Sequence, residues 1–243
     1  MPTVHEVFRE IVQAELASHP TRHAQHHREF ALQRPREGQK ALEYLRRRYA
    51  GVFTGPVHIL DVGGGNGGFL LPFAEQAMVE CIWIDRHNSA ELSYVAHQTG
   101  VGVRRALADA TAIPLASQSI DVVLYVETIE HVPALAVGRE IARVLRPGGI
   151  CYMTTPARFR YLFQKDPHYG IPALLVLPDF LQRRASSALR PTEPYEVRHL
   201  FWSAWGIARS LPGLRVVEVT SKNWEGFLRR FDWDWLVLKK PQA

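Results

Sequence analysis

The sequence predicts an α/β fold: a doubly wound, mostly parallel sheet with crossover helices. Three observations carry that expectation. From Val57 onward, apolar runs of strand length alternate with amphipathic helical stretches, the grammar of parallel strands joined by helices. The first of these runs leads into Asp61-Val62-Gly63-Gly64-Gly65-Asn66-Gly67-Gly68, a glycine-rich turn between a strand and a helix. The last two runs, 214–220 and 233–239, are separated by too little chain for a full crossover helix and so predict an antiparallel edge.

A chain of 243 residues fits one α/β domain with an extra segment and is too short for two full-sized catalytic domains. With 47% hydrophobic and 22% charged residues, its composition excludes a disordered or fibrous chain. Its start lacks a basic region followed by an apolar core, and no apolar stretch reaches membrane-spanning length, which predicts a cytoplasmic protein without a membrane span. Cys81 and Cys151 each sit in an apolar strand-like run and read as buried reduced thiols. The net charge of +5 would suit an acidic partner. The arginines are scattered, however, and short clusters such as Arg46-Arg47-Arg48 read as solvated helix faces, so a nucleic-acid partner is not expected.

In chain order, helical spacing of Val4, Phe8, Ile11 and Val12, then of Leu42, Leu45 and Tyr49, predicts helices over 3–17 and 37–50, an N-terminal helical cap. Between them, the His19–His27 segment reads as a polar loop or a lid; no cysteine joins its histidines, and no metal is expected there. Strands are predicted at 57–62, 79–84, 101–107, 119–126 and 149–155, with helices at 67–77, 88–99 and 134–146. The last helix should stop at Pro147-Gly148-Gly149. Residues 156–195, broken by six prolines, are too long for an ordinary connection and read as a functional insertion. A helix at about 195–211 precedes the terminal strand pair.

The glycine-rich turn is the strongest chemical signal. Glycines let backbone approach a ligand closely, and the following helix start offers free N–H groups to an anion. Through Gly63, Gly65 and Gly68 the turn also satisfies G-x-G-x-x-G, so taken alone it admits a dinucleotide-binding enzyme. The next strand ends at Asp85, twenty residues after Gly65, where a carboxylate can accept hydrogen bonds from two ribose hydroxyls. The two readings separate at Ala108-Asp109-Ala110-Thr111-Ala112-Ile113-Pro114-Leu115 and at Arg146-Pro147-Gly148-Gly149.

With those segments included, residues 55–155 resemble the class I S-adenosylmethionine-dependent methyltransferases, specifically their large small-molecule group. The resemblance implies a seven-stranded sheet of order 3-2-1-4-5-7-6 with strand 7 antiparallel. It also implies a single methyltransferase domain over 1–243: helical cap 1–50, cofactor-binding half 55–155, acceptor-site insertion 156–195, and C-terminal helix and strand pair 196–243. The implied cofactor is S-adenosylmethionine and its product S-adenosylhomocysteine. By the same resemblance Asp61, Gly63, Gly65 and Gly67 form the cofactor loop, Asp85 holds the ribose, and Asp109 accepts from the adenine amino group. The Ala110 N–H would serve a ring nitrogen, and Tyr125 would lie in the floor beside the sulfonium.

For proton removal the candidates are His131 and Glu127 in Glu127-Thr128-Ile129-Glu130-His131, just after the fourth strand. His168 in the insertion is a candidate for acceptor contact only. The segment Tyr125-Val126-Glu127-Thr128 lacks the Asn/Asp-Pro-Pro-aromatic tetrapeptide that adenine and glutamine methyltransferases carry there. The expected reaction is methyl transfer to oxygen or nitrogen of a small organic acceptor. Trp202 and Trp205, three apart, read as core packing more than as an acceptor enclosure. RNA methylation on the same fold, a nicotinamide-dependent oxidoreductase and a non-catalytic partner subunit are the rival readings.

Overall fold

A computed structural model describes residues 2–18, 22–162, 171, 173–189, 200–223 and 230–242. His19 of the polar segment, the whole of 163–170 with His168 and Tyr169, and Trp224 lie outside the described residues. The chain divides into two compact units, Met1–Leu124 and Tyr125–Ala243.

The first unit opens with helices α1 (Val4–Ser18) and α2 (Arg22–Arg48). Where the sequence predicted a helix only from residue 37, α2 starts at Arg22 and runs through Pro35, so the polar segment read as a loop is largely helical backbone. Strands β1 (Val57–Val62), β2 (Val79–Asp85) and β3 (Val103–Leu107) follow, with α3 (Leu71–Ala74) and α4 (Ala90–Thr99) between them. The β1 side chains from Ile59 to Val62 are all buried, as a strand covered on both faces requires. Strand β1 runs parallel to β2 and to β4 (Ile120–Val126), and β2 runs parallel to β3. Helix α4 is capped at both ends. Ser89 Oγ accepts from Leu92 N at 3.0 Å, and Gly100 ends the helix at φ 71°. The predicted helix over 67–77 is reduced to the four residues of α3, because the glycine turns extend up to it.

In the second unit, α5 (Ala134–Val144) leads directly into β5 (Leu145–Thr154). Pro147-Gly148-Gly149, expected to end a helix ahead of the strand, lies inside β5 instead. There Gly148 N donates to Lys240 O and Gly149 O accepts from Lys240 N, both at 3.0 Å. Lys240 Nζ also reaches the carbonyls of Ala142 and Leu145 and satisfies the α5 C-terminus. Helices α6 (Asp179–Leu189) and α7 (Ala204–Ser210) precede β6 (Arg215–Thr220) and β7 (Trp235–Lys239). Strand β7 is antiparallel to both β5 and β6. The sheet therefore has seven strands in the order 3-2-1-4-5-7-6 with strand 7 antiparallel, as expected. Arg160 ties the turn before β7 together through Asp232, Asp234 and the carbonyl of Trp233.

Helix α5 approaches the end of α7 so closely that a Cβ on Gly138 would lie 2.2 Å from Ser210 O and 2.9 Å from Leu211 Cα. Both obstacles are backbone and cannot swing aside. Alanine would gain about 1 kcal/mol of helix propensity, but overpacking costs ~1–3 kcal/mol or more, so the clash wins. Gly138→Ala should lower the denaturant midpoint with an unchanged slope; a midpoint equal to wild type would show that the two helices can separate freely.

Among the described residues no helix is long and apolar enough to cross a membrane. Cys81 and Cys151 are buried and unbridged, and burial pushes both thiols far above their ordinary range, so neither is a reactive thiolate.

Candidate cofactor site and candidate acid-base site

In the first unit the glycine turn is fixed to the end of β2 by its own backbone. Gly63 N and Gly64 N both donate to Ile84 O, at 2.9 and 3.2 Å. Gly65 N donates to Asp85 Oδ2 at 3.0 Å, while Asp85 Oδ1 accepts from His87 N at 2.9 Å. The loop and the strand-end carboxylate that the sequence separates by twenty residues thus form one structure. Two glycines show why the residue type matters. Gly65 stands at φ 52° with open space where a side chain would be, a left-handed position that keeps the outer side of the loop clear. Gly64 is the reverse case, because its Cβ would fall within 2.4–2.7 Å of the Trp83 indole and of Asp61 Oδ2.

Asp61 lies beneath that loop, 2% exposed. Its Oδ2 has no hydrogen-bond partner, nor does the neighbouring Trp83 Nε1. Burial raises the Asp61 carboxyl to about 7, against a smaller lowering by Arg34 and a further rise from Asp85. A buried carboxylate with an unused oxygen, under a glycine loop bordered by a second carboxylate, suits a ligand that presents an ammonium group and hydroxyls.

Asp109 is already engaged. Its Oδ1 accepts from Thr111 N at 2.8 Å and Thr111 Oγ1 at 2.7 Å, and its Oδ2 accepts from Arg86 Nε at 3.2 Å and pairs with Arg86 Nη2. The Arg86 hydrogen bond, then those from Thr111, hold the Asp109 carboxyl well below the usual carboxylate range. Arg86 was not among the expected site residues, although its position directly after Asp85 was a signal. Ala110 sits half-buried in the same turn. A cavity of about 400 Å3 is lined by Trp83, Asn88, Val103, Arg105 and Leu107.

In the second unit Tyr125 is fully buried with its hydroxyl unpartnered. Burial, then the Cys151 and Glu130 side chains, raise its phenol well above the ordinary tyrosine value. Glu127 follows at φ 49°, a left-handed backbone for a residue with a side chain, and its N–H donates to Thr154 O at 3.0 Å. A short 3-10 turn over Ile129–His131 then buries Glu130 completely. Glu130 Oε2 accepts from Thr155 Oγ1 at 3.1 Å, and Oε1 has no partner. His131 N donates to Thr128 O at 3.0 Å with the side chain partly exposed. Glu130 is the functional candidate that sequence reasoning missed. Trp202 and Trp205, expected in the core, are 47% and 46% exposed, with Arg158 over one ring and Arg230 over the other. Among the described residues no cluster of histidine, cysteine and carboxylate side chains is arranged to hold a metal.

Residues 60–153 match the methyltransferase domain family. An uncharacterized methyltransferase of Mycolicibacterium vanbaalenii is 37% identical over 190 residues, covering 75% of this chain and 69% of the relative. Another from Mycobacterium sp. (strain JLS) is 37% identical over 97 residues, and that match spans 40% of this chain but only 37% of the relative's length. The fold is shared with a geranyl diphosphate methyltransferase solved in complex with S-adenosylmethionine, at TM-score 0.55 and 16% identity, over 84% of this chain and 85% of that one. The sheet order, the glycine loop with its strand-end carboxylate, and a relative aligned over two thirds of its length agree: the chain belongs to the class I S-adenosylmethionine-dependent methyltransferases.

Proposed function

We propose that the protein transfers a methyl group from S-adenosylmethionine to an oxygen or nitrogen of a small organic acceptor. The observation that carries this reading is the unpartnered, buried Asp61 oxygen beneath the glycine loop, with Asp85 hydrogen-bonded to the loop's Gly65. In this reading the backbone of Gly63, Gly65 and Gly67 borders the methionine part of the cofactor, Asp61 faces its ammonium group, and Asp85 accepts from the ribose hydroxyls. Asp109 and the Ala110 N–H serve the adenine, and Tyr125 forms part of the floor.

When bound, the cofactor supplies a sulfonium-activated methyl group open to in-line attack by a heteroatom. The chain's own contribution is orientation and exclusion of water, which in well-aligned systems removes ~7–11 kcal/mol of barrier. Because Arg86 occupies Asp109 Oδ2, adenine recognition at that carboxylate requires Arg86 to release or share it.

The test is product screening. The full chain is incubated with S-adenosylmethionine and a library of hydroxyl and amine compounds, and formation of S-adenosylhomocysteine is followed with the matching mass gain on an acceptor. Methylation of small molecules but not of RNA supports the reading. Methylation of RNA alone, with binding that falls steeply with salt, would replace it.

A further inference from the structure

Asp61 and Trp83 stand opposite each other in the register of β1 and β2, so their side chains leave the sheet on the same face, one strand apart. Both are buried, Asp61 at 2% and Trp83 at 1% exposure. Each carries one polar atom without a hydrogen bond: Asp61 Oδ2 is an acceptor and Trp83 Nε1 a donor. Both atoms face Gly64 of the glycine loop. A Cβ on that residue would stand 2.5 Å from Trp83 Nε1 and 2.7 Å from Asp61 Oδ2, so the two lie no farther apart than the sum of those distances. An unused donor and an unused acceptor are thus held side by side in the core of the first unit, against the turn that borders the cofactor in the methyl-transfer reading.

A buried polar group costs free energy unless something engages it, and a buried tryptophan N–H usually finds a partner. Phenylalanine or leucine would fill a buried strand position without bringing an unpaired donor. What Trp83 adds is the N–H, and the acceptor opposite it in the register is Asp61. An aspartate carboxylate turns broadly about its last side-chain torsion, so rotation can close the remaining gap. A protonated carboxyl gains little from one more donor, whereas an ionised one gains a charge-assisted hydrogen bond.

Resting on the methyl-transfer reading, we propose that Trp83 is a positioning residue for the cofactor: its indole N–H engages Asp61 Oδ2 when that carboxyl ionises, and holds the carboxylate in place for the ligand's ammonium group. The indole neither gives up nor receives a proton. The Asp61 proton leaves to water as the ligand binds, and the N–H supports the charge that remains. Besides burial, which raises the Asp61 carboxyl, the ionisable groups acting on it are Arg34 from α2, which favours the charged form, and Asp85 at the end of β2, which opposes it. The Cys81 thiol on β2, raised first by its own burial and then by Asp61, stays neutral and adds no charge.

The experiment uses the full chain and begins without ligand. In nitrogen-labelled wild type, the Trp83 indole N–H resonance should move downfield as the pH passes about 7, and it should stay still in Asp61→Asn. The Trp83 indole is then replaced by benzothiophene, which keeps the bicyclic shape and has no N–H, with Trp83→Phe as a second variant. Without the N–H, the folded chain holds the Asp61 proton to higher pH. The decline in stability measured by denaturant unfolding, which in wild type levels off near pH 7, should therefore continue about one pH unit further. At pH 8 the benzothiophene variant should bind S-adenosylhomocysteine ~10-fold more weakly than wild type and still release a proton on binding. A role in packing alone predicts a loss of stability equal at every pH. That result, an indole resonance that does not titrate, or unchanged affinity in both variants overturns the proposal. Failure of S-adenosylhomocysteine to bind folded wild type falls on the cofactor reading instead, while the ligand-free titration still decides whether the indole engages Asp61.

Discussion

Asp85→Ala should weaken binding of both S-adenosylmethionine and S-adenosylhomocysteine by at least ~1.5–3 kcal/mol, roughly a 10- to 150-fold rise in Kd. That is the scale of a charge-assisted hydrogen bond to a hydroxyl, and the structure gives a second reason for it. Asp85 also accepts from Gly65 N and His87 N, so its removal frees the middle of the glycine loop as well as a ribose partner. Asp85→Asn keeps only part of the anchoring, because its single amide oxygen can accept from Gly65 N while its NH2 would then face the His87 N–H, so its loss is expected to fall between wild type and Asp85→Ala. Calorimetric titration of wild type and both variants decides the matter. If folded wild type binds neither ligand, the non-catalytic reading moves ahead. If wild type binds and Asp85→Ala binds equally well, the ribose is held elsewhere.

Strands β1, β2 and β4 were legible to within a residue because buried parallel strands are written as largely apolar runs, whereas β5 begins four residues ahead of its expected start. Helix ends were legible where a cap marks them, as at Ser89 and Gly100. Misreadings fell where a local signal was overruled by a distant partner. Pro147-Gly148-Gly149 carries a stop signal, yet pairing with Lys240, almost a hundred residues away, keeps it in β5. Helix α2 was underestimated because its polar first half and Pro35 hide the helical period.

The site divides in the same way. That Asp61, the glycines and Asp85 come together was legible because they stand at strand ends in a fixed order. Arg86 and Glu130 were not, because what singles them out is a partner 23 or 25 residues distant, Asp109 in one case and Thr155 in the other. Solvent exposure of Trp202 and Trp205 was likewise invisible, since the spacing of three did not announce that α7 starts only after Ser203, leaving Trp202 outside the helix.

Stability and ligand binding should both depend on the proton carried by Asp61. Its carboxyl moves from the usual value of 3.8 to about 7 in the folded chain, chiefly through burial. A raised value means that the folded state holds the proton more tightly than the unfolded one. The associated stability is therefore complete below pH 3.8 and declines as the pH rises to about 7. At ~1.4 kcal/mol for each tenfold change in proton affinity, the loss is about 4 kcal/mol by pH 8. A bound ammonium group reverses the preference, since an ionised Asp61 is then partnered. Binding of S-adenosylhomocysteine at pH 6 should thus release close to one proton, and at pH 8 almost none. Titrations in buffers of different ionisation enthalpy measure that number directly. Asp61→Asn should abolish the proton release, weaken the ligand, and flatten the decline in stability between pH 4 and 7. A variant that binds normally and still releases a proton would move the linkage to another carboxylate, and Asp61 would then be only a brace beneath the glycine loop.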